Sequence, residues 1–205
     1  MQLPLFQVDA FTSRVFGGNP AAVVPLDTWL PDATLQAIAQ ENNLSETAFF
    51  VREAAGHHLR WYTPTQEVDL CGHATLAAAW VLFERLEPGL TRVEFASRSG
   101  TLAVAREEGG LLALDFPARP PRSCAAPAGL AEALGVSPRE TLQGERDLLA
   151  VFDTEAQVRA LAPDLERLRR LPYFSVVPTA RGEDCDFVSR FFAPAAGVPE
   201  DPVTG

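Results

Sequence analysis

The sequence predicts an α+β fold made of two similar halves. Short segments with β-branched, aromatic or alternating residues are typical of strands, and they surround one segment, Ala74–Phe83, that is apolar on nearly every helical face. The pentapeptide Arg60–Pro64 (RWYTP) has a counterpart at Arg190–Pro194 (RFFAP). Residues 118–127 are rich in Pro, Ala and Arg and lack periodicity, as a linker does. We therefore place a domain boundary at this stretch.

The first half opens with two strands and a helix. Residues 3–11 form an apolar and aromatic run that ends near the turn signal of residues 17–20, and residues 21–24 predict the second strand. Asp32 follows a proline and is expected to cap a short amphipathic helix. The helix should end at Asn42 or Asn43, because asparagine tolerates the left-handed conformation found at helix C-termini.

A central helix and further strands complete the first half. Thr47–Arg52 and His58–Thr63 carry the residues of strands, with Gly56 at the turn between them. The apolar segment predicts a helix at residues 73–84, and a helix that is apolar all round belongs inside a core. Alternating segments separated by glycine-containing turns predict a three-stranded meander: Arg92–Ala96, Thr101–Arg106 and Leu111–Phe116.

The second half combines short helices with strands. A helix at Leu130–Leu134 should stop at Gly135, and residues 155–170 predict a helical region that Pro163 interrupts. The remaining strand-like segments are Asp147–Phe152, Tyr173–Thr179 and Phe187–Phe192.

Composition and charge exclude several classes of protein. The 27 acidic and 17 basic residues give a formal net charge of −10, which disfavours binding to nucleic acid. Every basic residue is Arg, so chemistry that needs a lysine amine is excluded. The three Cys are widely spaced and do not show the spacing of metal ligands. They predict a protein of the reducing cytoplasm. The N-terminus does not resemble a signal peptide, and no apolar run is long enough to span a membrane.

Four residues are candidates for chemistry. Glu46 precedes an apolar strand, where an apolar pocket would suit it to general acid and base catalysis, unless it faces solvent. His73 lies in the first turn of the apolar helix, where burial should keep it neutral and the N–H groups of residues 72–74 could bind a carboxylate; a simple buried cap is the alternative. Asp201 is either functional or an ordinary acidic turn. Cys71 is either an activated thiol or a buried residue that only fills space in the core.

Four motifs occur in order along the chain: Phe16–Val23 (FGGNPAAV), Asn43–Phe49 (NLSETAF), Asp69–Ala77 (DLCGHATLA) and Asp201–Gly205 (DPVTG). Together they resemble the motifs of the PhzF-like isomerase family, and the resemblance covers the whole chain. It implies the diaminopimelate-epimerase-like fold, in which each of two lobes wraps a curved, mostly antiparallel sheet around a central helix. The active site of that fold lies in the cleft between the lobes, which here would be residues 1–117 and 118–205.

The resemblance also implies roles for individual residues. Glu46 would be the main general acid and base, with His73 and Asp201 assisting it. The substrate-binding residues would be Asn19, Gly72, Thr204 and Gly205. The implied protein is a homodimeric, cofactor-independent isomerase, without a metal, that moves a proton on a small carboxylated metabolite.

The chain departs from the family pattern at its end. In the family, a Ser and a second central helix follow the position of Gly205, so we expect an incomplete second lobe and a partial chain that folds poorly without association. Two other functions stay open. One is a noncatalytic small-molecule-binding or interaction module, and the other is an epimerase or racemase that depends on Cys71. Such epimerases use a second thiol, and no Cys lies near Asp201 in the sequence.

Overall fold

The computed structural model describes residues 2–54 and 56–203. The strands in these residues are β1 Phe6–Ala10, β2 Asn19–Leu26, β3 Thr47–Glu53, β4 Gly56–Tyr62, β5 Glu67–Val68, β6 Arg92–Ser97, β7 Gly100–Arg106, β8 Leu112–Asp115, β9 Arg122–Cys124, β10 Glu140–Gln143, β11 Asp147–Val151, β12 Ser175–Arg181, β13 Phe187–Ser189, β14 Phe191–Ala193 and β15 Val198–Asp201. The α-helices are α1 Asp32–Asn42, α2 Gly72–Val81, α3 Leu130–Leu134, α4 Glu155–Ala160 and α5 Leu165–Arg169. The predicted α+β class is confirmed. The chain divides into two compact units on either side of the Pro117–Ala118 junction.

The sheet of the first unit curls around α2. Its strands lie in the order β1-β2-β3-β4-β6-β7-β8, and β5 also pairs with β4. The pairs β2/β3 and β4/β6 are parallel, and the other neighbours are antiparallel. Helix α2 packs against β1, β2 and β3 and also against β8. Because β1 and β8 are opposite edges of the sheet, contact with both requires the sheet to curve around the helix.

Helix α2 is buried because its residues are small or apolar on nearly every side, as the sequence predicts. Its α-helical part begins at Gly72 and ends at Val81, three residues before the expected end. Beyond Val81, the N–H of Glu87 bonds to the carbonyl of Leu82, so the chain continues as a π-helical turn to Leu86. Among the helices that the structure describes, none combines the length and apolar character needed to cross a membrane.

Helix α1 covers part of the same sheet and shares a buried apolar cluster with β2, β3 and β4. Its predicted end is confirmed, since Asn43 adopts a left-handed conformation with φ of 50° and its N–H bonds to the carbonyl of Ala39. The predicted cap is wrong. Asp32 is already the first helical residue and makes no cap, because its carboxylate pairs with Arg60 at 3.0 Å.

The second unit has a smaller sheet with strand order β15-β14-β12-β11-β10-β9, and β13 also pairs with β12. Strands β11 and β12 are parallel and are connected through α4 and α5, while the other neighbours are antiparallel. Apolar side chains from the helices and strands form one buried core, which includes Leu130, Leu134, Leu148, Phe152, Val158, Leu168, Val176 and Phe192.

The two units repeat one strand arrangement. In each unit, two antiparallel strands come first, and a helical connection then leads to a third strand that is parallel to the second. A fourth strand is antiparallel to the third, and a short fifth strand pairs with the fourth. These strands are β1, β2, β3, β4 and β5 in the first unit and β10, β11, β12, β14 and β15 in the second. The repeated pentapeptide marks equivalent ion pairs. Arg60 binds Glu67 through Nε–Oε1 and Nη2–Oε2 contacts of 2.7 and 2.9 Å, and Arg190 binds Glu200 through the same atoms at 2.7 and 2.9 Å.

Several strands differ from the sequence predictions. The stretch predicted as a linker contains β9, which pairs with β10 and therefore belongs to the sheet. The strand predicted at Phe187–Phe192 is divided into β13 and β14 at Arg190, whose side chain binds the carbonyls of Val158 and Leu161. Strands β5, β10 and β15 were not expected, because each is too short to show a clear apolar alternation.

Candidate active site

Glu46 lies at the entrance to β3, one residue before the strand begins. Strands β2 and β3 are parallel with Ala22 opposite Thr47, so Glu46 lies at the end of the sheet where both strands start. The side chain is 15% exposed, which excludes the solvent-facing alternative. The carboxyl group is therefore held at the N-terminal end of β3, largely shielded from water.

His73 faces this carboxyl group from the first turn of α2. Its Nε2 atom lies 3.5 Å from Oε2 of Glu46, and its side chain is 4% exposed. Burial lowers the pKa of His73 from 6.5 to about 4, because the charged imidazolium would lose its hydration. The ring is therefore neutral near pH 7, as the sequence predicts for this position.

Cys71 completes a cluster with these two side chains. It precedes α2 in an extended conformation and is buried, and its Sγ lies 3.5 Å from Nδ1 of His73. The hydroxyl of Thr75 donates a hydrogen bond to the carbonyl of Cys71 at 2.5 Å, which ties the residue to the helix. The imidazole ring thus has the thiol at one nitrogen and the carboxyl group of Glu46 at the other.

The cluster contains the atoms of a possible metal site. One ligand atom from each of Glu46, Cys71 and His73 lies within 4.8 Å of the other two, and thiolate, imidazole and carboxylate are ligands that zinc accepts. The thiol and the carboxyl group, however, contact different ring nitrogens, whose bonding directions diverge. An ion bound to one nitrogen would therefore need a side chain to move before it had all three ligands. The arrangement suits hydrogen bonding through the ring better than coordination of one ion.

The start of α2 has backbone donors of the kind that bind an anion. The backbone N–H groups of the first helical turn have no partner within the helix, and no side chain caps this end. A Cβ atom at Gly72 would lie 3.2 Å from the ring of Phe116, so a larger residue here would displace that ring. Asn19 is fully buried at the start of β2, the strand that enters the sheet beside Glu46.

The other predicted site residues belong to the second half of the sequence. Asp201 is the last residue of β15, opposite Phe191 of β14, and it is 9% exposed. It is thus a buried strand residue, which excludes the ordinary acidic turn considered from the sequence. Thr204 and Gly205, both predicted to bind substrate, lie outside the described residues.

The contact between Cys71 and His73 is not anticipated from the sequence, although both residues are candidates there. The signal that could have revealed it is their spacing, because a residue preceding a helix and the second helical residue can project toward each other. Phe116 against Gly72 was also missed. Phe116 is distant from this helix in the sequence, so no local sequence pattern predicts the contact.

The chain matches a family model and several known proteins. Residues 8–205 match the PhzC-PhzF model, described as "Phenazine biosynthesis-like protein". "Uncharacterized isomerase PA2770" of Pseudomonas aeruginosa is 58% identical over 205 residues, which cover 100% of this chain and 78% of that protein. The crystal structure of a phenazine biosynthesis protein of the PhzF family from Enterococcus faecalis has a TM-score of 0.89 at 47% identity, covering 100% of this chain and 78% of that one. The structure of a predicted epimerase, PA4716 from P. aeruginosa, shares the fold, with a TM-score of 0.72 at 20% identity over 98% of this chain and 76% of that one.

Proposed function

Because the chain belongs to the PhzC-PhzF family of phenazine biosynthesis-like proteins, we propose that it is an isomerase that moves a proton on a small carboxylated metabolite, with Glu46 as general acid and base. The observation that carries the proposal is the contact between a largely shielded carboxyl group and a buried, neutral imidazole, 3.5 Å apart. A relative that is 58% identical bears the name of an isomerase, which supports the reaction class.

The proposed chemistry needs one carboxyl group that both gives and takes a proton. Glu46 removes a proton from one carbon of the substrate and protonates another on the same face, so a conjugated or cyclic substrate suits it best. Neutral His73 does not compete as a strong acid, and its ring holds the carboxyl group in position. The substrate carboxylate would bind the free N–H groups at the start of α2, beside Gly72, with Asn19 at the neighbouring strand.

The proposal extends to residues and properties that depend on the family resemblance. Asp201 would assist the proton transfer, and Thr204 and Gly205 would contribute to substrate binding. The reaction would need no cofactor, because Glu46 serves as both acid and base. We also propose a homodimer in a reducing, cytoplasmic compartment, and the free thiols of Cys71, Cys124 and Cys185 are compatible with that compartment.

The test is incorporation of deuterium from solvent into small carboxylated metabolites, including cyclic and conjugated ones. The unmodified chain should catalyse the incorporation for one class of these compounds. Glu46→Gln keeps the size of the side chain and removes the proton carrier, so it should lower the rate by roughly 100-fold or more. Glu41→Gln, on the exposed side of α1, is the matched control and should leave the rate unchanged. Undiminished exchange in Glu46→Gln would remove Glu46 from the mechanism.

A second candidate function is an epimerase or racemase that uses Cys71 as a base. The 3.5 Å contact between Sγ of Cys71 and Nδ1 of His73 favours it, because an adjacent imidazole can activate a thiol. Alkylation of Cys71 would abolish such an activity, and intact activity after alkylation would exclude it. A noncatalytic binding module would instead bind a small aromatic acid in a way that depends on His73, with no isotope exchange under any condition.

A further inference from the structure

The ring of His73 connects two acidic groups that belong to different elements. Cys71, before α2, contacts Nδ1 at 3.5 Å, and Glu46, before β3, contacts Nε2 at 3.5 Å. One ligand atom from each of Cys71, His73 and Glu46 lies within 4.8 Å of the other two. The ring itself is buried, and its Nε2 atom makes no hydrogen bond to any described residue within ordinary limits. A neutral imidazole in this setting has one N–H and one free lone pair.

Two proton arrangements satisfy both contacts with a neutral ring. In the first, the thiol donates to Nδ1 and Nε2–H donates to the carboxylate of Glu46. In the second, Nδ1–H donates to the thiolate and the protonated carboxyl group donates to Nε2. The two arrangements contain the same number of protons and differ only in where those protons lie. The buried ring therefore never needs to carry the positive charge that its surroundings disfavour.

We propose that Cys71, His73 and Glu46 form a proton relay in which the thiol restores the proton of Glu46 through the imidazole. In the forward step the S–H bond breaks and an Nδ1–H bond forms, while the Nε2–H bond breaks and an O–H bond forms on Glu46. The products are a thiolate, the other neutral tautomer of His73 and a protonated carboxyl group. No oxidant or cofactor takes part, and the step is reversible.

The surroundings of Cys71 favour its part in the relay. The residue immediately precedes α2, where the partial positive charge of the helix N-terminus stabilises a thiolate. Thr75 donates its hydroxyl proton to the carbonyl of Cys71, so this hydroxyl is engaged by the backbone. The separation of 3.5 Å between Nε2 and Oε2 is slightly longer than a hydrogen bond, and such contacts commonly tighten when a substrate binds.

The relay deepens the proposed function, on which its catalytic meaning rests, but its test needs no substrate. An isolated thiol reacts with iodoacetamide only as thiolate, so below its pKa the alkylation rate falls about tenfold for each pH unit. A thiol that shares a proton with a carboxyl group keeps a fixed thiolate fraction over the pH range in which the pair holds one proton. Alkylation of Cys71, followed by peptide mass spectrometry, should therefore show a plateau at neutral and mildly acidic pH.

The variants separate the relay from a simple thiol and imidazole pair. Glu46→Gln and His73→Asn should each abolish the plateau and restore the fall of about tenfold per pH unit. Cys185 is exposed in the same chain and is the internal reference, whose profile should be the same in every variant. The relay is wrong if Cys71 follows the profile of Cys185 in the unmodified chain, or if its plateau survives in Glu46→Gln. If alkylation of Cys71 is too slow to follow, the ultraviolet absorbance of the thiolate, taken as the difference from Cys71→Ser, provides the same titration.

The result is independent of the isomerase assay. A plateau that depends on Glu46 establishes the relay even if no metabolite undergoes exchange. If the unmodified chain shows no plateau in the alkylation rate of Cys71, but deuterium exchange depends on Glu46, the relay is rejected and the proposed function stands.

Discussion

Acidification should destabilise the protein through His73. Burial lowers the pKa of its imidazole from 6.5 to about 4 in the folded state, whereas the unfolded chain keeps the ordinary value. The unfolded state therefore binds more protons between these two pKa values, and stability falls as the pH drops through this window. The full effect corresponds to about 3 kcal/mol, and the part lost between pH 7 and pH 5 is about 2 kcal/mol.

The assay is urea-induced unfolding at pH 7, 6 and 5. The free energy of unfolding of His73→Gln should depend less on pH, and the difference between this variant and the unmodified chain should change by about 2 kcal/mol between pH 7 and pH 5. His57 is also buried with a lowered pKa, so only the difference between the two proteins isolates His73. Equal pH dependence with and without His73 would show that burial of this ring does not couple its protonation to unfolding.

Three further predictions concern stability and assembly. Arg190→Gln should lower the free energy of unfolding by roughly 1–3 kcal/mol, because it leaves Glu200 and the carbonyl of Leu161 without their donor, whereas Arg139→Gln, which removes an exposed ion pair with Asp153, should cost less than about 1 kcal/mol. Gly18→Ala should cost several times more than Gly135→Ala in urea unfolding, since both have positive φ but only Gly18 would place its Cβ against a backbone carbonyl of β1. Light scattering coupled to size exclusion should give a mass twice 22.2 kDa, and a monomer mass would reject the homodimer.

Local sequence signals predicted the first unit well. The end of α1 at Asn43 follows from a residue that tolerates the left-handed conformation, and the buried α2 follows from the apolar character of all its faces. The meander of β6, β7 and β8 follows from alternation between glycine turns. The capping role of Asp32 was predicted only from its position before an amphipathic segment. In the structure its carboxylate pairs instead with Arg60, which is 28 residues away in the sequence.

The second unit was less accessible because its strands are held by partners distant in sequence. The bidentate contact of Arg190 with Glu200 and its bonds to the carbonyls of Val158 and Leu161 connect three separate segments. Such contacts fix a two-residue or three-residue strand that has no periodicity of its own. The repeated pentapeptide did reveal the equivalent strands, since it retains the arginine that makes the same contact in each unit.

The candidate site was predicted by residue type but not by geometry. Glu46 and His73 were identified from their local settings and from the family motifs. Their 3.5 Å contact depends on the parallel pairing of β2 with β3 and on the placement of α2 within the curved sheet. Neither can be derived from spacing along the chain, because three strands, β3, β4 and β5, lie between residues 46 and 73. The contacts of the thiol and the carboxyl group with different nitrogens of the ring became visible only in three dimensions.

The central claim is that a single carboxyl group, that of Glu46, carries the proton from one carbon of the substrate to another. The most direct measurement uses a substrate deuterated at the carbon that loses its proton, turned over in ordinary water and analysed by mass spectrometry before one full turnover. Because the side chain of Glu46 is 15% exposed, exchange with solvent should be slow enough for part of the label to reach the new carbon. Product that retains deuterium at this position is the predicted result. Product without any transferred deuterium would contradict proton transfer by Glu46 alone.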